Sequence, residues 1–408
     1  MNKLPAGWQI KTVKDVCTLQ NGNGFKPSEW SDAGLPIIRI QNLNGSKDFN
    51  YFAGKPKPSW LISPGEILFA WAGTKGVSFG PFIWTGPQGV LNQHIFRTTP
   101  SDAVDRDWLY YSLKHLTFEI ESKAHGFKAT LLHVPKGDIE RQRLLVPPHY
   151  EQIQIARILA TWDKAIATTE RLLANSQKQK QALLQQLLTN GKRLPGFSGD
   201  FRLKFFSELF EIDSKNLSSK TPENFEFKYI SLSDVNSGRI SDRLESHKFK
   251  TAPSRARRLI SAEDILLATV RPNLKNFAKA KEQHTGLVAS TGFAVLTPKH
   301  GVCSDYAFHY LFSNHITEQI ESIVAGSNYP AINSSDVASL SIYCPNYKEQ
   351  VSIARILNNC DATIAILQRK ISCLRIEKKA LMQQLLTGKR RVRLDDAEED
   401  LAPIRRVG

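Results

Sequence analysis

The sequence predicts an α+β protein: two mixed α/β domains, each followed by one copy of the same long helix, related by a pseudo-twofold internal repeat. Three observations predict it. One segment recurs at a fixed offset, that segment lacks glycine and proline, and short β-branched runs elsewhere are cut by Gly, Pro and Asn.

The repeat begins at Glu151-Gln152-Ile153-Gln154-Ile155-Ala156-Arg157-Ile158-Leu159, which returns as Glu349-Gln350-Val351-Ser352-Ile353-Ala354-Arg355-Ile356-Leu357. It closes on Ala182-Leu183-Leu184-Gln185-Gln186-Leu187-Leu188-Thr189, which returns as Ala380-Leu381-Met382-Gln383-Gln384-Leu385-Leu386-Thr387, again shifted by 198 positions. About half of the roughly 39 aligned positions are identical, far above chance. Neither glycine nor proline occurs between Pro148 and Gly191 or between Pro345 and Gly388, and good helix formers dominate both stretches. Some 40 residues rising ~1.5 Å each make a rod near ~60 Å.

In the second copy Ile364, Leu367, Ile371, Leu374, Lys378, Leu381 and Leu385 alternate spacings of three and four, which is the seam of a coiled coil. The first copy keeps the phase less purely, as Ile166, Thr169, Leu173, Ser176, Lys180, Leu183 and Leu187. Lys180 and Lys378 fall at the same seam position, and a polar defect at one shared level is expected where the two helices pair with each other. The alternative is that each helix packs on its own domain.

The regions before the helices echo one another more faintly. Leu35–Asn42 resembles Phe227–Asp234, and Ile62–Ala70 resembles Ile260–Ala268. Both halves then reach Thr-Pro (Thr99-Pro100, Thr297-Pro298), an apolar helical stretch, and a last apolar strand ending at Pro147 or Pro345. The predicted organisation is a domain over 1–148, a helical spacer over 149–190, a second domain over 191–345, a second spacer over 346–388, and a flexible tail over 389–408. That tail is basic, then acidic. All seven tryptophans lie at or before Trp162, so the two domains have diverged in their surfaces.

Lys and Arg total 54 against 39 Asp and Glu, a net charge of +15, which favours polyanionic partners and nucleic acid first. No run of about 18 apolar residues occurs, and the N-terminus has no apolar signal-peptide core, so a cytoplasmic protein without membrane association is expected. Cys17, Cys303, Cys344, Cys360 and Cys373 are scattered, without a Cys-x-x-Cys pair, and read as small hydrophobes rather than metal ligands. Phosphate-loop, His-Glu-x-x-His and Gly-x-Ser-x-Gly motifs are all missing. Asn21-Gly22-Asn23-Gly24-Phe25 reads as a turn, because it lacks the third glycine and the strand-to-helix setting of a dinucleotide loop. Pro147-Pro148-His149-Tyr150 follows a valine and so is not the Asn/Asp-Pro-Pro-aromatic motif of adenine methyltransferases.

The arrangement resembles the DNA-specificity subunits of type I restriction–modification systems over nearly the whole chain. The resemblance rests on the aromatic-led opening of each domain (Gly7–Val16, Phe201–Leu209) and on Pro64-Gly65-Glu66-Ile67-Leu68, degenerate at Ala262–Leu266. It rests most on Pro-x-x-x-Glu-Gln-x-x-Ile-Ala-x-Ile-Leu and Lys-x-Ala-Leu-x-Gln-Gln-Leu-Leu-Thr, each present twice. The resemblance implies two target-recognition domains, spaced by helices that pair as an antiparallel coiled coil, and a non-catalytic chain reading a bipartite double-stranded DNA target. A ~60 Å separator corresponds to about 17 base pairs at ~3.4 Å each. It further implies two modification (methyltransferase) subunits carrying S-adenosylmethionine and methylating adenine, and restriction subunits carrying ATP and Mg. No cofactor is implied on this chain. The competing readings are a self-contained nuclease or methyltransferase and a coiled-coil adaptor that does not read DNA.

Base reading needs Arg for guanine or Asn and Gln for adenine, while Lys, Arg and hydroxyls position phosphates. Candidates in the first domain are Arg39, Gln41, Asn42, Lys75, Asn92, Gln93, His125 and Lys128, all at strand ends or in polar loops. In the second they are Arg255, Arg257, Arg258, Arg271, Lys275, Asn276, Ser327, Asn328 and Tyr329. Each of these is also compatible with ordinary turn chemistry.

Overall fold

Each copy of the repeat folds as one 40-residue helix, His149–Leu188 and Tyr347–Leu386. The computed structural model describes residues 4–123, 131–188, 193–236, 238–325 and 330–392. The chain divides into two compact units, Met1–Thr168 with Lys370–Gly408, and Thr169–Arg369. Both boundaries fall inside the long helices, so each unit contains one α+β body, the start of one helix and the end of the other.

Within each unit the two helical segments run antiparallel. In the first, Lys378 Nζ meets Asp163 and Arg391 meets Glu151. In the second, Lys180 Nζ lies 2.6 Å from Asp361, and Arg193 meets Glu349. These pairings correct the expected shared lysine level. Opposed chain direction sets each lysine against an aspartate, where its charge is compensated, rather than against the other lysine. The other seam positions, Ile166, Leu173, Leu183, Leu187, Ile364, Leu367, Ile371, Leu374, Leu381 and Leu385, are all buried or half-buried. Outward positions such as Ile366 and Ile376 are exposed.

The antiparallel arrangement explains where the repeat is best kept. Ile155, Ala156 and Leu159 share one core with Met382, Leu385 and Leu386. Leu184, Leu187 and Leu188 share the other with Ile353, Ala354 and Leu357. The start of each helix therefore packs with the end of the other inside a body's core, whereas the middle packs mainly along the two-helix seam. The repeated glutamines act as struts. Gln152 Nε2 donates to the Pro147 carbonyl (3.0 Å) and its Oε1 accepts the Asp105 N–H (2.8 Å). Gln350 does the same with Pro345 (2.9 Å) and Cys303 (3.0 Å).

The bodies share a strand frame. One four-stranded sheet orders Cys17–Asn21, Ile95–Pro100, Ile67–Ala70 and Gly80–Ile83 in the first body, and Phe210–Ile212, Phe293–Pro298, Ile265–Ala268 and Phe277–Lys279 in the second. The other orders Tyr51–Phe52, Leu35–Ile38, Gly89–Leu91 and Leu61–Ile62, matched by Glu245–Lys248, Glu226–Ile230, Val288–Ser290 and Ala256–Leu259. In each body the first strand pairs antiparallel with the last, Gln9–Thr12 with Arg143–Val146 and Arg202–Phe205 with Ser341–Cys344. One parallel pairing also recurs, Ile38 opposite Leu91 and Ile230 opposite Ala289. Ile67–Ala70 and Ile265–Ala268 are buried at every residue, which is why both read as unbroken apolar runs. The bodies differ in a pairing of Ala72–Thr74 with Leu131–His133 in the first and of Val235–Asn236 with Arg239–Ile240 in the second.

They also differ beside the helix pair. Tyr111 Oη donates to Asp163 (2.8 Å) in the first unit. Its counterpart 198 positions on is His309, buried, with Nε2 2.7 Å from Asn358 Oδ1 and Nδ1 3.9 Å from Asp361. Burial holds His309 below the usual imidazole value of 6.5, and burial lowers His284 and His315 as well. The unfolded chain then binds more protons, so stability rises with pH and is lost as pH falls below about 6.5 toward the folded values. Urea unfolding of the second unit's core is expected to lose up to about 1.4 kcal/mol per pH unit through His309 in that window. His309→Gln should flatten the dependence.

Candidate nucleic-acid interface

In the first body, strand register gathers the candidate residues at one end of the two sheets. Ile38 stands beside Leu91, and the Asn92 N–H donates to the Ile38 carbonyl (3.0 Å). Asn23 bridges to Asn92, Ala70 pairs with Ile95, and Gly80 pairs with Ala70. The segments carrying Arg39 and Gln41, Lys75, and Asn92 and Gln93 therefore leave the sheets side by side.

Their side chains have different roles there. Arg39 is half-buried, with its guanidinium 5.2 Å from the centroid of Trp30 and Nη2 donating to Gln41 Oε1 (3.3 Å). Gln41 is exposed and is itself held by donation to the Asp48 carbonyl (3.2 Å). Asn42 is buried. Its Oδ1 accepts the Arg39 backbone N–H (2.9 Å), and its Nδ2 donates to the carbonyls of Ser46 and Asp48. That amide is spent on capping the turn, as Asp234 caps Ser231 (2.8 Å) at the matching place in the second body. Lys75 is exposed at a turn braced by the Gly76 N–H on Glu121 (2.7 Å), where an ammonium can meet a phosphate. Asn92 is half-buried and Gln93 exposed. The Gln93 carbonyl accepts from the indole of Trp71, which packs against His133 (4.7 Å) and His94 (5.3 Å).

Gly22 makes this close approach feasible. A Cβ on it would sit 2.3 Å from the carbonyl oxygens of Leu91 and Asn92. Gly22→Ala is expected to displace Asn92–His94, to cost about 1–3 kcal/mol, and to weaken duplex binding; unfolding and binding titrations of the variant check both. The Asn21–Phe25 stretch is thus a packed loop at a strand end.

The second body repeats the geometry with other side chains. Thr269 N–H donates to the Gly292 carbonyl and Thr291 N–H to the Arg255 carbonyl, both at 2.8 Å. The exposed Arg255 and Arg271 therefore leave the equivalent sheet end. Arg271 and Lys275 flank a Pro272–Leu274 turn with φ of 49° and 52°, a conformation that is costly for residues other than glycine and that concentrates at functional sites. Asn276 follows, half-buried. Arg257 lies over Phe249 (5.0 Å) and donates to the Ala256 carbonyl. Arg258 is engaged by Asp213 (2.9 Å) and Asn216 (2.9 Å), so its charge braces the loop. Asp213, itself at φ 55°, also accepts from the Val295 N–H and Ser334 Oγ. His125, Lys128, Ser327, Asn328, Tyr329 and the acidic tail lie outside the described residues.

Sequence reasoning missed Trp30, Trp71 and Asp213. No local spacing links Trp30 to Arg39 or Asp213 to Arg258, and only the fold brings them together. Among the described residues no group of three or more His, Cys, Asp or Glu is placed to hold a metal, and no helix is long and apolar enough to cross a membrane. Burial pushes the Cys17 and Cys344 thiols up to about 12, so both stay protonated within the core.

Two α+β bodies share one strand frame, and each offers a basic and amide-bearing sheet end of a kind suited to nucleic acid. A family model described as "Type I restriction modification DNA specificity domain" matches residues 5–175 and again 199–375, and the chain belongs to that family. It is a specificity subunit, and its function is DNA sequence recognition. It is 23% identical to the type I restriction enzyme MjaVIII specificity subunit of Methanocaldococcus jannaschii, covering 96% of this chain and 95% of that one. It is 24% identical to the EcoKI specificity subunit of Escherichia coli K12, covering 94% and 88%. The fold is similar to the crystal structure of the type I restriction–modification S subunit from M. genitalium (TM-score 0.58, 15% identity, 95% and 97% covered). A structure described under complex assembly and conformational transition of the type I R-M system is similar too (TM-score 0.57, 17% identity, 96% and 100% covered).

Proposed function

We propose that each body reads one half of a bipartite duplex target, and that the chain directs adenine methylation and ATP-dependent restriction carried out by other subunits. The observation that carries this reading is the repeated sheet end. Identical strand orders hold different side chains at matching places, as Arg39 against Ser231 and Gln41 against Ser233. One frame with two sets of polar groups suits two different half-sites. Two modification subunits would supply S-adenosylmethionine chemistry and restriction subunits ATP and Mg, which leaves this chain without a reaction of its own. The two long helices would fix the unread gap between the half-sites and carry the modification subunits.

Co-expression with a modification subunit, followed by mapping of methylated adenines, tests the proposal. A single motif with two specified blocks and an unspecified gap is expected. Active complexes that methylate without such a motif would contradict it, as would cleavage or methylation by the isolated chain given magnesium or S-adenosylmethionine.

A further inference from the structure

We infer that Arg39 reads a guanine in the half-site taken by the first body, with Trp30 and Gln41 as its positioning residues. The inference rests on the proposed division of reading between the bodies and names one reader within it. The guanidinium is restrained on two sides, by the Trp30 face (5.2 Å) and by Gln41 Oε1 (3.3 Å), which is anchored in turn on the Asp48 carbonyl (3.2 Å). Among the described residues no carboxylate pairs with Arg39, whereas Arg258, Arg193 and Arg391 each meet one. Its charge and its remaining N–H donors are thus left for a ligand. A planar fork held in one orientation matches the O6 and N7 acceptors of guanine in the major groove, where two donors must arrive together. A phosphate contact needs no such restraint, and a flexible ammonium such as that of the exposed Lys75 suits it better. Trp30, 38% exposed, adds an apolar face on which the guanidinium stays in plane.

The second body shows that this arrangement is an addition to the frame. Ser231 holds Arg39's place, with its hydroxyl bonded to Asp234 (2.6 Å), so no guanidinium stands there. The turn in the first body is capped through the backbone N–H of Arg39. Side-chain substitutions at this position therefore leave the cap in place.

The test maps methylated adenines in complexes carrying the wild-type chain, Arg39→Ala or Arg39→Lys. Both variants are expected to accept any base at one guanine position of the first body's half-site, with discrimination there lowered about ten- to hundredfold and the other half-site unchanged. A wild-type motif retained base for base in both variants overturns the assignment to Arg39 and leaves the two-body reading standing. A wild-type complex with no motif removes the two-body reading itself, and this inference with it. If methylation is lost in both variants, competition binding of Arg39→Lys on duplexes with single base changes decides. Loss of discrimination confined to one guanine position supports the inference, and unchanged discrimination at every position, with binding uniformly weaker, overturns it.

Discussion

Replacing residues 1–148 with the corresponding body of another family member is expected to change one half of the methylated motif completely and to leave the other half and the gap intact. The effect is large because each specified base pair contributes about 1–3 kcal/mol of discrimination, and the exchange moves all readers of one half-site together. The fold permits the exchange at Pro147-Pro148, just before His149 opens the long helix. Gln152 reaches across that boundary only to main-chain atoms, the Pro147 carbonyl and the Asp105 N–H, which any incoming side chain preserves. Trp8 and Tyr111 are the exceptions, since the Trp8 indole donates to the buried Glu151 (3.0 Å) and the Tyr111 hydroxyl to Asp163 (2.8 Å), so the donor body must carry equivalent donors. Methylation mapping of the hybrid is the readout. Change in both halves, or in neither, would contradict separate reading.

Glu349→Ala is expected to destabilise the second unit by about 2–4 kcal/mol without altering the motif. The Glu349 side chain is fully buried and accepts Arg193 through Nε (3.1 Å) and Nη2. Removing it leaves a largely desolvated guanidinium, 25% exposed, with the Ser198 carbonyl and the Phe201 ring as its remaining contacts. At the matching place Glu151 accepts Arg391 and the Trp8 indole. Arg391 is 48% exposed, so water takes over part of that contact and the loss for Glu151→Ala should be smaller. Urea unfolding of both variants, with methylation mapping alongside, checks the order. A loss below about 0.5 kcal/mol at Glu349 would show that the pair does not hold the helix start in place.

The long helices were legible because their information is local: helix formers, bounding glycines and prolines, and a seam read directly from spacing. Their antiparallel direction came from the family resemblance and not from spacing. The notion of one shared lysine level failed because Asp163 and Asp361 sit off the stripe that spacing picks out, and only opposed chain direction sets them across from Lys378 and Lys180. The strand frame was half legible. Ile67–Ala70 and Ile265–Ala268 announce themselves as apolar runs, while the edge strands, such as Tyr51–Phe52, are too short to carry a period. At the candidate interface, residue type and strand-end position picked out Arg39, Gln41 and Lys75. They could not tell Asn42 and Arg258, which are spent on their own loops, from residues free to meet a ligand, because that depends on partners such as Asp213 placed by the fold.

The central claim is that one chain reads two separate blocks of duplex DNA with two bodies on one frame. Selection from a pool of random duplexes by the full chain, assembled with a modification subunit, tests it most directly. Enriched duplexes are expected to share two specified blocks separated by a gap of constant length and free sequence. Enrichment of one continuous block, or of no sequence at all, would contradict it.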